Sequence, residues 1–308
     1  NGVGDLMGSI RKKPVVRTGA RKYIDEAGIG KSTYQDYDKK TADLAIQWLK
    51  NKSLKKEEKG WVLFVSFAVP HFPLKVTRSF ASLYPLSKIL APINHLRQKT
   101  LHPAHQTYAN LMGFEPKFTE KQIKRAIRSY FGLITFMDFQ IGRILQSLNK
   151  YNLNKNTTII YTSDHGDNVG RDGLFGKSTM YEESVGVPLI AKGKKFKKNF
   201  VSNKIVSHID LYATILESVD IGIKYKNKDY KGISLQSSLN NKNRKHPVIS
   251  EYHATCSTGG ITMIREKKYK FIYYVNHSCQ LFNLGKDPDE LNDLSHNPRY
   301  KNKIKYFK

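Results

Sequence analysis

Cysteine is almost missing from this chain: 308 residues contain two, Cys256 and Cys279. A disulfide framework is therefore excluded. One bridge between the two stays open, but neither sits in a metal or redox spacing, and both read as ordinary thiols. Long apolar runs are missing too. None approaches the roughly 18 residues that a membrane-spanning helix needs, and the mean hydropathy is −0.52. Acidic residues are scarce. Only 26 Asp and Glu face 52 Lys and Arg, for a net charge of +26. So basic a chain invites a nucleic-acid reading. That reading fails on pattern, because the lysines are scattered and no helix-turn-helix, zinc-finger or RNA-binding motif accompanies them. The denser runs at 192–198 and Lys224–Lys231 read as solvated loops. The positive field would instead concentrate anionic substrates. No secretory leader is visible, and with Asn1 in first place rather than Met that excludes nothing. Cytoplasmic, periplasmic and secreted locations stay open, as does homo-oligomerisation.

What is present centres on residues 158–192. The run Thr158–Thr162 drives into Ser163-Asp164-His165-Gly166-Asp167. It reads as a buried strand delivering a carboxylate and an imidazole to its C-terminal end, where open α/β sheets bind ligands. A Gly-rich loop leads to Gly176-Lys177-Ser178, and a second apolar run follows at Val187–Ile190. Acid, imidazole and ammonium around one strand end suit a metal-bound oxyanion. Asp164 offers a hard oxygen suited to Ca²⁺ or Mg²⁺. The softer His165 ring would favour Mn²⁺ or Zn²⁺. Asp167, pointing away from that pair by alternation, reads as a loop holder.

The rest of the chain alternates strand and helix, which predicts a mostly parallel sheet flanked by helices. Residues 1–34 read as loops. A helix is expected over 39–50, with Ala42, Leu44, Ala45, Trp48 and Leu49 inward. Trp61–Phe67, apolar throughout, reads as a buried parallel strand. Residues 75–118 are irregular and read as shaping access to a site. Thr119 and Gln122 fit a capping box opening a helix to about Lys150, with Tyr130, Ile134, Met137, Ile141, Ile144 and Leu148 along its apolar face and Asp138 close to that face. A helix over 209–219 follows. Strands at Val248–His253, Gly260–Arg265 and Tyr269–Val275 predict a small antiparallel sheet, closed by a turn and short helix over Leu281–Leu294. The expected division is 1–235 for the α/β domain and 236–308 for the small subdomain.

The ordered series SDHGD, GLFGKSTMYEES and VPLI strongly resembles the sulfatase family of the alkaline-phosphatase-like superfamily. So do Pro70-His71-Phe72-Pro73, the helix Asp138-Phe139-Gln140-Ile141-Gly142-Arg143, Ile209–Thr214, and Gln280–Leu284 followed by Asp287-Pro288-Asp289-Glu290. The segments Ser250–His253 and Lys270–Tyr274 are similar to its choline-sulfatase and arylsulfatase branches. The resemblance implies an α/β fold and sulfate-ester hydrolysis by a formylglycine nucleophile with a divalent metal, Ca²⁺ first and Mg²⁺ or Mn²⁺ as alternatives. It implies Asp164 and His165 as metal ligands, Lys177 as a contact to sulfate and nucleophile, and His71 as acid or hydrogen-bond donor to the leaving group. His253, which shares a strand face with Glu251, is expected to line the pocket. The substrate is a small or oligomeric sulfate ester; no nucleic-acid partner is expected. The family's C/S-x-P-x-R nucleophile motif and its metal-binding N-terminal strand are absent from the 308 residues. The expectation is a C-terminal part of a longer sulfatase-like protein, inactive alone. His165 keeps a second reading open, hydrolysis of phosphodiesters or phosphonate monoesters on the same scaffold. A non-catalytic anion-binding relative is the third.

Overall fold

In the computed structural model of the protein, residues 16–55, 60–219, 231–239 and 246–308 are described. Residues 224–230 of the basic run lie outside them. The described residues form two compact units. The first runs to Thr157 and takes in Asp167–Lys177; the second comprises Thr158–Gly166 and Ser178 onward. The boundary expected near residue 235 falls inside the second unit.

The first unit contains α1 (Thr18–Asp25), β1 (Gly28–Ile29), α2 (Thr33–Ser53), β2 (Lys75–Val76), α3 (Arg78–Ala81), α4 (Pro103–Leu111) and α5 (Glu120–Lys150). Part of the expected N-terminal loop is therefore helix and strand. β1 and β2 pair in parallel. α5 opens with the predicted capping box: the Thr119 hydroxyl accepts from the Gln122 N–H at 3.3 Å, and the Gln122 side chain accepts from the Thr119 N–H at 2.8 Å. Its buried stripe is Ile123, Ala126, Ile127, Leu133, Phe136, Ile144 and Leu148, rotated from the predicted face. Tyr130, Ile134, Met137 and Ile141 are half-buried, and Asp138 is exposed rather than buried. α2 buries Ala42, Ala45 and Leu49 as expected, but leaves Leu44 exposed. Arg143 of α5 pairs with Asp43 of α2 and holds that carboxyl below the usual carboxylate range.

Trp61–Phe67 departs most from expectation. It has no regular secondary structure and joins no ladder among the described residues. Trp61 packs on Trp48, ring centres 5.3 Å apart, while Val62 and Phe64 are 67% and 88% exposed. Apolar composition makes a strand favourable only where a neighbouring strand supplies hydrogen bonds and cover.

The second unit contains β3 (Ile159–Thr162), α6 (Glu182–Val185), β4 (Leu189–Lys192), α7 (Ile209–Ser218), α8 (Leu235–Leu239), β5 (Val248–Tyr252), β6 (Ile261–Glu266), β7 (Tyr269–Tyr274), β8 (Gln280–Asn283) and α9 (Lys301–Phe307). β3 and β4 pair antiparallel, Ile159 facing Lys192 and Thr162 facing Leu189. The parallel pairing expected of them would need a crossover back to the start of β3, whereas the chain re-enters from the end it left. All four residues of β3 are half-buried. The antiparallel C-terminal sheet is present, in the order β5-β6-β7-β8. Its fourth strand is the segment read as a closing turn, and all four of its residues are buried. Phe271, Leu281 and Phe307 form its core, and Phe307 stacks on Phe271 at 5.5 Å. Cys256 and Cys279 are not joined in a disulfide.

His105 of α4 is 1% exposed. Burial, then the positive charge of His102 and Arg171, pushes its imidazole down to about 3. In the unfolded chain a histidine titrates near ~6.5. Between those values the unfolded state takes up a proton that the folded state cannot, so stability falls as pH drops, by up to about 1.4 kcal/mol per unit. Urea unfolding at pH 7.5 and pH 5 should show this loss, and His105→Gln should shrink it. An equal loss in the variant would assign the acid sensitivity elsewhere.

Candidate active site

The end of β3 carries Asp164 and His165, both in the second unit. The Asp164 side chain is 85% exposed and its Oδ2 lies 3.5 Å from His165 Nε2. The turn is fixed from within. The Ser163 hydroxyl donates to the His165 carbonyl at 2.8 Å, and the His165 N–H donates to Asp164 Oδ1 at 3.0 Å. His165 Nδ1 donates to the Gly166 carbonyl at 2.7 Å. With Nδ1 protonated, Nε2 is the lone-pair nitrogen and faces the carboxylate. A metal-binding histidine usually donates one ring N–H to a backbone carbonyl or carboxylate while the other nitrogen ligates. The two donors therefore fit a divalent cation. They do not complete a shell, since no group of three His, Cys, Asp or Glu side chains with ligand spacing occurs among the described residues.

Outside contacts hold the turn. Gly166 N–H donates to the Ser184 carbonyl of α6 at 2.8 Å. A Cβ at Gly166 would lie 2.0 Å from the Glu183 carbonyl oxygen, so only glycine fits. Also in this unit, His253 follows β5 with its Nε2 3.7 Å from Glu251 Oε1. Tyr252 between them accepts from the Ser178 hydroxyl at 2.8 Å and donates to the Thr255 carbonyl at 2.7 Å. This ties down the residue after Lys177.

The first unit holds His71 and Lys177, both exposed. The backbone before His71 is clamped by the buried Asp38 of α2. Its two carboxylate oxygens accept from the Ala68 and Val69 N–H groups at 2.7 and 2.9 Å. Burial raises the Asp38 carboxyl and outweighs the lowering by these two bonds. His71 Nδ1 donates to the Phe72 carbonyl at 3.0 Å, leaving Nε2 as the outward nitrogen. Tyr34 meets the ring edge-on at 6.1 Å. Lys177 ends the Asp167–Lys177 loop. Asp167 Oδ1 accepts from Val169 and Gly176 N–H, each at 2.9 Å, and so spans the loop. The Tyr108 hydroxyl donates to the Phe175 carbonyl at 2.6 Å. Arg97, 5% exposed, donates to the Asp172 and Gly173 carbonyls at 3.1 and 3.3 Å and pairs with Glu115. Burial pushes its guanidinium down and Glu115 draws it back up.

A family model described as Sulfatase matches residues 11–221. The chain belongs to the sulfatase family. A second model, N-sulphoglucosamine sulphohydrolase, C-terminal, matches residues 170–308. This sulfatase chain is 32% identical to choline-sulfatase of Rhizobium meliloti (strain 1021) over 282 residues, covering 90% of the chain and 55% of that protein. It is 30% identical to arylsulfatase K of Rattus norvegicus, covering 84% and 49%. The chain thus spans about half the length of these curated relatives. Among solved structures, one of a protein in complex with its substrate D-glucosamine-2-N,6-O-disulfate superposes with a TM-score of 0.71 at 20% identity, covering 87% of this chain and 67% of that one. A phosphonate monoester hydrolase from Silicibacter pomeroyi gives 0.68 at 21% identity, covering 87% and 58%. At those identities the likeness is one of fold.

Sequence reasoning missed the residues that hold the backbone beside these candidates: Asp38, Arg97 and Tyr108 in the first unit and Tyr252 in the second. Asp38 carried one usable signal, an acid at a spacing that places it with Ala42, Ala45 and Leu49 on the inward face of α2. Asp38→Ala leaves two N–H groups near the core without an acceptor, and should cost about 3 kcal/mol. Chemical denaturation measures the loss; a cost below about 1 kcal/mol would show that the clamp is not needed.

Proposed function

We propose that the protein containing this chain hydrolyses sulfate monoesters, with a divalent cation held by Asp164 and His165. The observation that carries the reading is the strand-end pair itself: a carboxylate and a lone-pair nitrogen 3.5 Å apart, in a chain of the sulfatase family. Ca²⁺ is the first choice, and the imidazole moves the preference towards Mn²⁺ relative to an all-oxygen site. Such a cation supplies Lewis-acid neutralisation of charge on the ester's oxygens. Lys177 binds the sulfate and stabilises the negative charge that grows on its oxygens as the ester bond breaks. His71, when both ring nitrogens are protonated, gives the Nε2 proton to the departing alcohol oxygen while Nδ1–H stays on the Phe72 carbonyl. His253, steadied by Glu251, lines the pocket on the leaving-group side. No Cys or Ser in C/S-x-P-x-R occurs within 1–308, so in this reading the formylglycine nucleophile is supplied by sequence outside them. Small and oligomeric sulfate esters both fit the reading. A second reading, phosphodiester or phosphonate monoester hydrolysis, is favoured by the imidazole at position 165.

The test uses the full-length protein. It should hydrolyse 4-nitrophenyl sulfate faster than bis(4-nitrophenyl) phosphate. Lys177→Met should lower kcat/KM by about 100-fold or more. His71→Asn should slow esters of poor leaving groups more than those of good ones. A faster rate on the phosphodiester would give the second reading precedence. No ester hydrolysis at all would overturn both.

A further inference from the structure

We propose that Lys270, Glu290 and Glu182 form a positioning relay, through which the C-terminal sheet fixes the geometry of the Asp164–His165 strand end. The relay rests on the reading above only for its metal-binding consequence. All its parts lie in the second unit.

Lys270 of β7 is fully buried, and its Nζ lies 2.7 Å from Glu182 Oε1 and 2.8 Å from Glu290 Oε1. The other oxygen of Glu290 accepts the Glu182 N–H at 2.7 Å. The start of α6 is thus gripped twice, through its backbone by Glu290 and through a side chain by Lys270. Arg265, opposite Lys270 in the β6–β7 ladder, is a second cation beside the cluster; burial pushes its guanidinium down, and Glu182 and Glu290 draw it part of the way back up. The Tyr181 ring meets Phe282 of β8 edge-on at 6.1 Å.

α6 is four residues long, too short to form or hold its place alone. Its position must come from this grip. It passes the constraint to the strand end by the Ser184 carbonyl, which takes the Gly166 N–H, and by the Glu183 carbonyl, which abuts the Gly166 Cα. The Gly166 carbonyl in turn holds His165 Nδ1. A continuous path of charge and hydrogen bonds therefore runs from the sheet to the imidazole tautomer. Buried ion clusters are poor stabilisers compared with apolar packing of the same volume. What this one supplies is a fixed position for α6.

Amide exchange by NMR on the full-length protein, with Glu290→Gln and Glu182→Gln, tests the relay. Gln at 290 keeps an acceptor and a similar volume; Glu182 is exposed, so its variant serves if the first does not fold. In either variant Gly166 N–H should exchange at least tenfold faster, while the β6–β7 ladder amides stay within twofold of wild type. Titration with Mn²⁺ should show Glu290→Gln weakening the affinity about 10- to 100-fold. An unchanged Gly166 rate in a folded variant overturns the proposal. So does acceleration of all amides together, which would make the cluster a general stabiliser. If the wild-type full-length protein binds no Mn²⁺, the metal reading falls while Gly166 exchange still decides the relay.

Discussion

The backbone of Gly166 lies against the Glu183 and Ser184 carbonyls so closely that a hydrogen is the largest side chain the site admits. That contact sets the direction in which the chain leaves β3, and hence where Asp164 and His165 stand. It also explains why a strand with one antiparallel neighbour and half-buried residues can present two polar groups in a defined relation. The turn borrows its rigidity from α6, and α6 borrows its own from the buried Glu290 and from Lys270 of the C-terminal sheet.

The same division of labour recurs in the first unit. His71 and Lys177 are exposed. The backbone beside each is pinned by a buried polar side chain from elsewhere: Asp38 for the segment before His71, and Tyr108 and Arg97 for the loop before Lys177. Side chains that do chemistry need tight placement to within fractions of an ångström. Long lysines and loop histidines cannot supply that placement themselves, so it comes from their supports. The large positive charge is handled differently. Most of it stays on the surface, while buried cations such as Lys270 and Arg97 meet carboxylates or carbonyls, as buried charges must.

What could be read along the chain was what is local. The Asp164–His165 strand end, the capping box of Thr119 and Gln122, and three of the four C-terminal strands are carried by contiguous residues, and the structure has them. The face of α5 came out rotated because apolar and aromatic residues populate more than one face, and packing chose among them; Asp138 went to solvent with that choice. Pairing was not legible. The antiparallel match of β3 with β4 and the lack of a ladder at Trp61–Phe67 depend on neighbours that hydrophobicity does not name. The supports were least visible, because Glu290 and Glu182 lie 108 residues apart in sequence, and Tyr108 and Phe175 lie 67 apart. Nothing local marks one glutamate among many as the one that holds a helix end.

The proposed function turns on whether Asp164 and His165 are a metal pair set by their turn. An anomalous difference map from crystals of the full-length protein soaked in Mn²⁺ decides this. A peak is expected within about 2.0–2.5 Å of both the Asp164 carboxylate and His165 Nε2, with His165 Nδ1 still on the Gly166 carbonyl. A bound Mn²⁺ elsewhere, or a His165 ring turned so that Nδ1 faces the ion, would contradict it.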